Sequence, residues 1–278
     1  VLHNNRVLLK TASLTDLSVD LSEIHSNAPV IALTTAGALY LGSDFPFNHR
    51  YIEVSTPNDQ TARISVSTWS GTSWVPVAEV IDQTAVNGVC LAQSGILSWV
   101  PDRDASSWSR QAKSADMSDL STTKIYDLYL VKITVNADLK NTTAIKYVGH
   151  KFSTDAHLGV EYPELVRSDI MTAFEAGKTD WLKQTISAAE YIIQELREKG
   201  VLISPDQVLD WTLFQKASIH KTAEIIYTPF GEDRAKDRAV AAARYAKSID
   251  LKAYSVDQNA NAALDECEKP ILSRFCGR

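Results

Sequence analysis

TDWLKQTISAAEYIIQELREKGVLISPDQVLDWTLFQKASIHKTAEII, residues 179–226, is the stretch on which the fold turns. Leu182, Ile186, Ala189, Ile193 and Leu196 recur at alternating spacings of four and three, which lays an apolar stripe along one helix face. Thr179 is expected to cap this helix. Gly200 is expected to stop it, because a glycine just past the last periodic residue takes the left-handed conformation that ties off the final carbonyls. Arg197 and Lys199 suit the negative end of the helix dipole. Ser204-Pro205-Asp206-Gln207 then supplies a capping hydroxyl, a proline at the first helical position and a glutamine able to reach back to the cap. The pattern predicts a helical hairpin running to Ile226, with Ala217, Ala223 and Ile226 on the buried side of its second arm and Thr228-Pro229 ending it. Two such helices cannot bury both stripes alone, so residues 179–278 are expected to form a helical domain that meets further surface.

Outward from this hairpin toward the N-terminus, the pattern changes. Ala62, Ile64 and Val66 alternate with Arg63, Ser65 and Ser67, the period of a strand buried on one face. Ser73 to Gln83, Val89 to Val100 and Tyr126 to Val135 continue in kind, with Gly71, Asn87-Gly88, Gly95 and Asn136 where reversals are needed. In Tyr126 to Val135 both alternating sets are largely apolar, which predicts a central strand covered on two sides. The expected fold class is α+β: residues 1–150 an antiparallel, jelly-roll-like β-sandwich, 151–178 a linker with a short helix, and 179–278 the helical domain.

Composition narrows the function classes. A formal net charge of −6 disfavours sequence-independent DNA binding, which draws its affinity from basic residues neutralising phosphates. No run of eighteen apolar residues exists to span a membrane, and the opening residues lack a secretory pattern, so the chain is expected to stay in the cytoplasm where it is made. Cys90, Cys267 and Cys276 have no CxxC spacing, and neither a disulfide framework nor a zinc site is indicated. GxSxG, P-loop and GxGxxG motifs are absent, and the expectation is a protein that is not an enzyme.

Several groupings carry side chains of the kinds that chemistry uses. Trp69, Trp74, Trp99 and Trp108 suit core packing better than a sugar-binding platform, since aromatics dominate both settings. His150, Asp155 and His157 fall in the linker without the further ligands a metal site needs. Asp102 and Asp104 flank a turn beside Pro101. The residues from Asp257 to Glu268 stand apart. Asp257, Asn259, Asn261, Ala263, Asp265 and Glu268 occupy positions one, three, five, seven, nine and twelve of a calcium loop, the seventh acting through its carbonyl. Ala262 stands where such loops carry glycine, so the expectation is a weakly held, structural Ca2+.

A final helix is expected from about Glu232 to Ser248, where Ala235, Ala239, Ala242 and Ala246 make a seam of small side chains suited to a close helix approach. Trp181 to Leu196, Lys221 to Tyr227, Asp237 to Tyr245 and the Asp257 loop resemble the helical part of neck proteins of tailed bacteriophages, the head-to-tail adaptors. Gly95 to Pro101 and Tyr129 to Val135 resemble phrases common in phage structural proteins. The large β domain departs from minimal, all-helical adaptors. What the resemblance implies is a virion protein of the neck, assembled in the host bacterial cytoplasm. It implies a homo-oligomeric ring, commonly a dodecamer, between the portal protein and the next neck or tail-terminator protein. DNA would pass through its channel without specific binding. The alanine seam would then be the subunit or portal interface. A carbohydrate-binding sandwich module of a tail or baseplate component is the alternative, and a calcium-dependent hydrolase the third reading.

Overall fold

The computed structural model describes residues 6–22, 24, 28–100, 108–111, 120, 127–250 and 256–257. The chain divides into two compact units between Gly149 and His150, Asp257 going with the first.

The first unit contains β1 Arg6–Lys10, β2 Leu14–Asp16, α1 Ser18–Ser22, β3 Ala38–Ser43, β4 His49–Thr56, β5 Ile64–Trp69, β6 Trp74–Pro76, β7 Glu79–Asp82, β8 Gly95–Val100, β9 Arg110–Gln111, β10 Leu128–Val135 and β11 Ala144–Gly149. They form two sheets whose strand pairs are all antiparallel, in the orders β2-β1-β3-β10-β5-β6, with β9 also on β10, and β11-β4-β8-β7. Strands consecutive in sequence repeatedly change sheet, and the residues they turn inward meet in one core. Leu41, Val131, Ile133 and Val66 from the larger sheet pack in one cluster with Ile52, Leu97, Trp99, Ile145 and Val148 from the smaller. This is a β-sandwich, and with the helices that follow it the fold is α+β.

β10 is central, as its two apolar sets predict. Val131, Ile133 and Val135 face the sandwich core, while Leu128 and Leu130 face the other side of the sheet, where they join Leu8, Ala38, Tyr40, Trp69 and Leu120. Asn87-Gly88 makes the expected reversal: both residues have positive φ, at 51° and 82°, and Val86 and Val89 exchange two backbone hydrogen bonds of 3.0 Å across them. That is the two-residue turn whose twist matches the strands, and asparagine and glycine tolerate its left-handed backbone. Two strand expectations are corrected. Ser73 to Gln83 is split into β6 and β7, which belong to different sheets, because Pro76 has no N–H to continue a ladder and closes β6 at a sheet edge. Of Val89 to Val100 only β8 is strand.

The second unit holds α2 Asp155–Glu161, α3 Ser168–Phe174, α4 Leu182–Glu198, α5 Gln215–Tyr227 and α6 Ala235–Asp250. Residues 151–178, expected as a linker, carry two short helices whose Leu158, Leu165 and Met171 are buried around Trp181 and Ile226. In α4 the whole stripe of Leu182, Ile186, Ala189, Ile193 and Leu196 is buried. The cap is Trp181 rather than Thr179. At the far end Gly200 has φ 71°, its N–H donates to Arg197 O at 3.0 Å, and Val201 N–H donates to Leu196 O at 2.9 Å, the paired bonds of a Schellman ending.

Ser204 does start a helix, with the reciprocal capping box to Gln207, but only one 3-10 turn, Pro205–Gln207, follows. The expected single arm to Ile226 is in three pieces. Asp210 is a second cap: its Oδ1 accepts from Thr212 N–H at 3.0 Å, restarting the chain as the 3-10 turn Trp211–Phe214 before α5 begins. A short polar side chain that can satisfy a backbone donor locally competes with the helix ladder, and here it wins. The last helix likewise begins later than Glu232, after a 3-10 stretch, Thr228–Arg234, broken by positive φ at Gly231.

Candidate functional site

The surface and the polar core of the helical unit both centre on α6. Its inner row, Ala241, Tyr245 and Ile249, spaced by four, is buried. Ala241 meets Ile219, Ala223 and Ile226 of α5, while Tyr245 and Ile249 join Ala189, Ile192 and Leu196 of α4. The close helix contact that a small residue permits is therefore made by Ala241, fully buried. The seam residues lie on the adjacent face. Ala235 and Ala242 are half-buried, and Ala239 and Ala246 are exposed, beside exposed Ala243, Val240, Lys236 and Lys247. That outward face offers small side chains over which another backbone could approach, with two cations at its edge.

Behind α6 lies a polar cluster drawn from three helices and a turn, with His220, Tyr162 and Tyr227 buried. His220 of α5, 3% exposed, has its Nδ1 2.9 Å from the hydroxyl of Tyr162, the residue that ends α2. The two rings meet edge to face at 5.8 Å. Arg244 of α6, itself exposed, sets its guanidinium carbon 5.7 Å from the centroid of the Tyr162 ring. Two helical turns along α5, the Tyr227 hydroxyl donates to Glu164. Burial pushes the pKa values of both tyrosines up, so the phenols keep their protons. Burial pulls that of His220 down, helped by Arg244 and Lys216 and opposed by Glu161.

On the other side of α5, Lys221 is 7% exposed and stands 3.5 Å from the centroid of the Tyr191 ring and 5.1 Å from that of Tyr245, with its ammonium paired to Glu224 at 3.1 Å. Buried ammonium groups need such partners, and two ring faces plus a carboxylate supply them. Tyr245 donates to Glu195, which Lys199 also pairs at 2.7 Å. These groups tie α4, α5 and α6 together and expose neither a nucleophile nor a free general base.

The structure separates several residues grouped by the sequence. His150 pairs through Nε2 with Asp206 at 3.2 Å, Asp155 accepts from the Trp181 backbone N–H at 3.0 Å, and His157 contacts the Gln215 amide. Among the described residues no cluster of three histidine, cysteine or acidic side chains is placed to hold a metal. Of the candidate calcium ligands only Asp257 is described, and it is buried; Asn259, Asn261, Ala263, Asp265 and Glu268 lie outside the described residues, as do Asp102, Asp104, Cys267 and Cys276. Cys90 is buried and its thiol is pushed up to about 11 by burial, which makes it a poor nucleophile. Trp69 and Trp74 do come together across the Gly71 hairpin, ring centroids 5.3 Å apart. Trp69 and Trp99 are buried, and the half-buried Trp74 and Trp108 lie against Tyr40, Phe47 and Tyr129.

No described helix is long and apolar enough to cross a membrane. Comparison with family models, curated proteins and solved structures finds no match for this chain.

Proposed function

We propose that the chain is a structural virion subunit, a head-to-tail adaptor that forms a ring in the neck of a tailed phage, between portal and tail, with DNA passing through its centre. The observation that carries this reading is the outward alanine face of α6. Its inner row is already committed to α4 and α5, so the exposed Ala239, Ala243 and Ala246 are surplus to folding and suited to a second copy or the portal. The polar clusters around it are closed on themselves, which suits a scaffold better than a catalyst. The carbohydrate-binding alternative needs open indole faces. The four tryptophans of the β unit are buried or lie against other rings, which favours the structural reading.

Ala239→Glu and Ala246→Glu test it. Both positions are exposed, so the fold and thermal transition of the separate chain are expected to stay within about 0.5 kcal/mol of the parent. Each carboxylate placed in a close helix contact is expected to abolish the oligomer seen by light scattering and particle imaging. A parent that never assembles, or variants that assemble like it, would sink the interface.

For the Asp257 loop the same reading assigns a weak structural calcium. Calorimetric titration of calcium into chelator-treated protein is expected to release or absorb heat, and Glu268→Ala to remove it, since the twelfth loop position closes the shell with both oxygens. Equal heats, or none, leave the loop without an ion.

A further inference from the structure

The outward sides of α4 and α6 carry opposite charges in the same order along the helix. On α6 Lys236, Val240, Ala243 and Lys247 recur by four, three and four, so they share one face, and all four are exposed. Among the described side chains of α6 every exposed charged one is basic: Lys236, Arg244 and Lys247. Asp237 is half-buried and paired with Arg234 at 3.0 Å. On α4 Ser187, Tyr191, Gln194 and Glu198 recur by the same four, three and four, with Glu190 beside them, and all five are exposed. Lys199 at the C-cap is paired with Glu195 at 2.7 Å. Both faces also show one large apolar side chain to solvent, Val240 at 44% and Tyr191 at 48%.

The spacings match. Glu190 and Glu198 are eight residues apart, as are Lys236 and Arg244, which is about 12 Å along a helix in each case. One turn before Ser187, half-buried Lys183 puts a positive charge ahead of the two carboxylates, and the exposed Glu232 and Asp233 put negative charge ahead of Lys236. The order plus, minus, minus along α4 therefore meets minus, plus, plus along residues 232–247 when the two helices lie parallel. Within the chain they do run the same way: Trp181 at the start of α4 shares a cluster with Ala241, and Ala189 to Leu196 share one with Tyr245 and Ile249. Rotation about an axis along the helices keeps that direction, so in a ring built around such an axis a neighbour's α4 lies parallel to α6.

We propose that the occupant of the outward face of α6 is the outward face of α4 of a second copy, with Glu190 over Lys236 and Glu198 over Arg244 and Lys247. This rests on the adaptor reading above and names the contact that would build its ring. Two α6 faces docked on each other would set these cations against their own copies, and like charges brought together at an interface count against that pairing. An acidic face on a different helix removes the conflict. It also makes the contact heterologous: a copy that offers α6 to one neighbour keeps α4 for the next, which is how a ring closes.

Sedimentation of the full chain tests the pairing with two charge reversals and their combination. One reversal is Lys236→Glu with Arg244→Glu and Lys247→Glu, the other Glu190→Lys with Glu198→Lys. All five positions are exposed, and circular dichroism checks that the fold is kept. The parent is expected to assemble, and to do so less tightly as salt is raised, since its charges are screened. Each reversal alone is expected to weaken assembly about a hundredfold, and the two combined in one chain to restore it to within about tenfold of the parent. An α6 face docked on its own copy would stay weak in the combined chain, since all its charges would again be alike. A parent that stays a single chain overturns the adaptor reading and this contact with it. A parent that assembles while either reversal leaves it unchanged, or a combined chain as weak as either reversal, overturns the α4 pairing and leaves the adaptor reading standing. Should a reversed chain fail to fold, the parent decides: assembly indifferent to salt overturns the pairing.

Discussion

Trp181→Ala is expected to lower the unfolding free energy of the helical unit by about 3–5 kcal/mol, the cost of removing a fully packed large aromatic. Trp181 is the largest fully buried side chain, and it joins elements that have little else in common. Its indole N–H donates to Leu165 O at 2.8 Å, its backbone N–H donates to Asp155 at 3.0 Å, and Phe174 meets its ring at right angles with centroids 5.0 Å apart. The ring thus fixes the start of α4 against α2, α3 and the turn between them. Truncation would leave a cavity and an orphaned buried carbonyl at Leu165. Chemical denaturation followed by helical circular dichroism measures the loss. Trp181→Phe separates the two contributions: it keeps most of the volume, and the loss of the N–H partner alone is expected to cost about 1–3 kcal/mol. A Trp181→Ala loss below about 1 kcal/mol would mean that the site collapses freely around the smaller residue.

Leu130→Ala is expected to cost about 2–5 kcal/mol, a core penalty on what would ordinarily be the wet face of a sandwich sheet. Leu130 is fully buried and points away from the space between the sheets, among Leu8, Tyr40, Trp69 and Leu128. It sits opposite Gly42 on β3, where even a methyl group would come within 2.9 Å of its Cδ2. The missing side chain on the partner strand is what lets Leu130 lie flat over the sheet. The urea midpoint of the β transition gives the loss, and a change under about 0.5 kcal/mol would place Leu130 with surface residues instead.

Periodic patterns carried far into the structure. The apolar stripe of α4, its Gly200 ending, the Asn87-Gly88 turn and the two-sided burial of β10 were all legible, because each rests on local geometry that one segment satisfies alone. The Ser204 start was legible too, but its extent was not. A capping box specifies where a helix begins, while Asp210, six residues on, offers the backbone a rival partner whose success depends on how Val208 and Leu209 are buried. The stretch 151–178 looked like a linker because α2 and α3 are each too short to show a period. They are held by Trp181 and by Ile219 and Ile226 of α5, contacts that lie outside their own sequence. The alanine row of α6 was visible as a row, but which row faces inward is set by where α4 and α5 stand. The Tyr162–His220 contact left no trace, since the two residues are separated by 58 positions and neither lies in a motif.

The central place of β10 also sets an order of events during synthesis. Ile133 pairs on one side with Leu39 and on the other with Val66, so the middle of the larger sheet is the last of its long strands to leave the ribosome. Until it arrives, β3 and β5 each have an unfilled edge facing the other, and closing the sheet requires contacts between distant parts of the chain, which is slow. Nascent chains stalled before Leu128 are therefore at greatest risk of pairing with one another, strand edge to strand edge, at high expression.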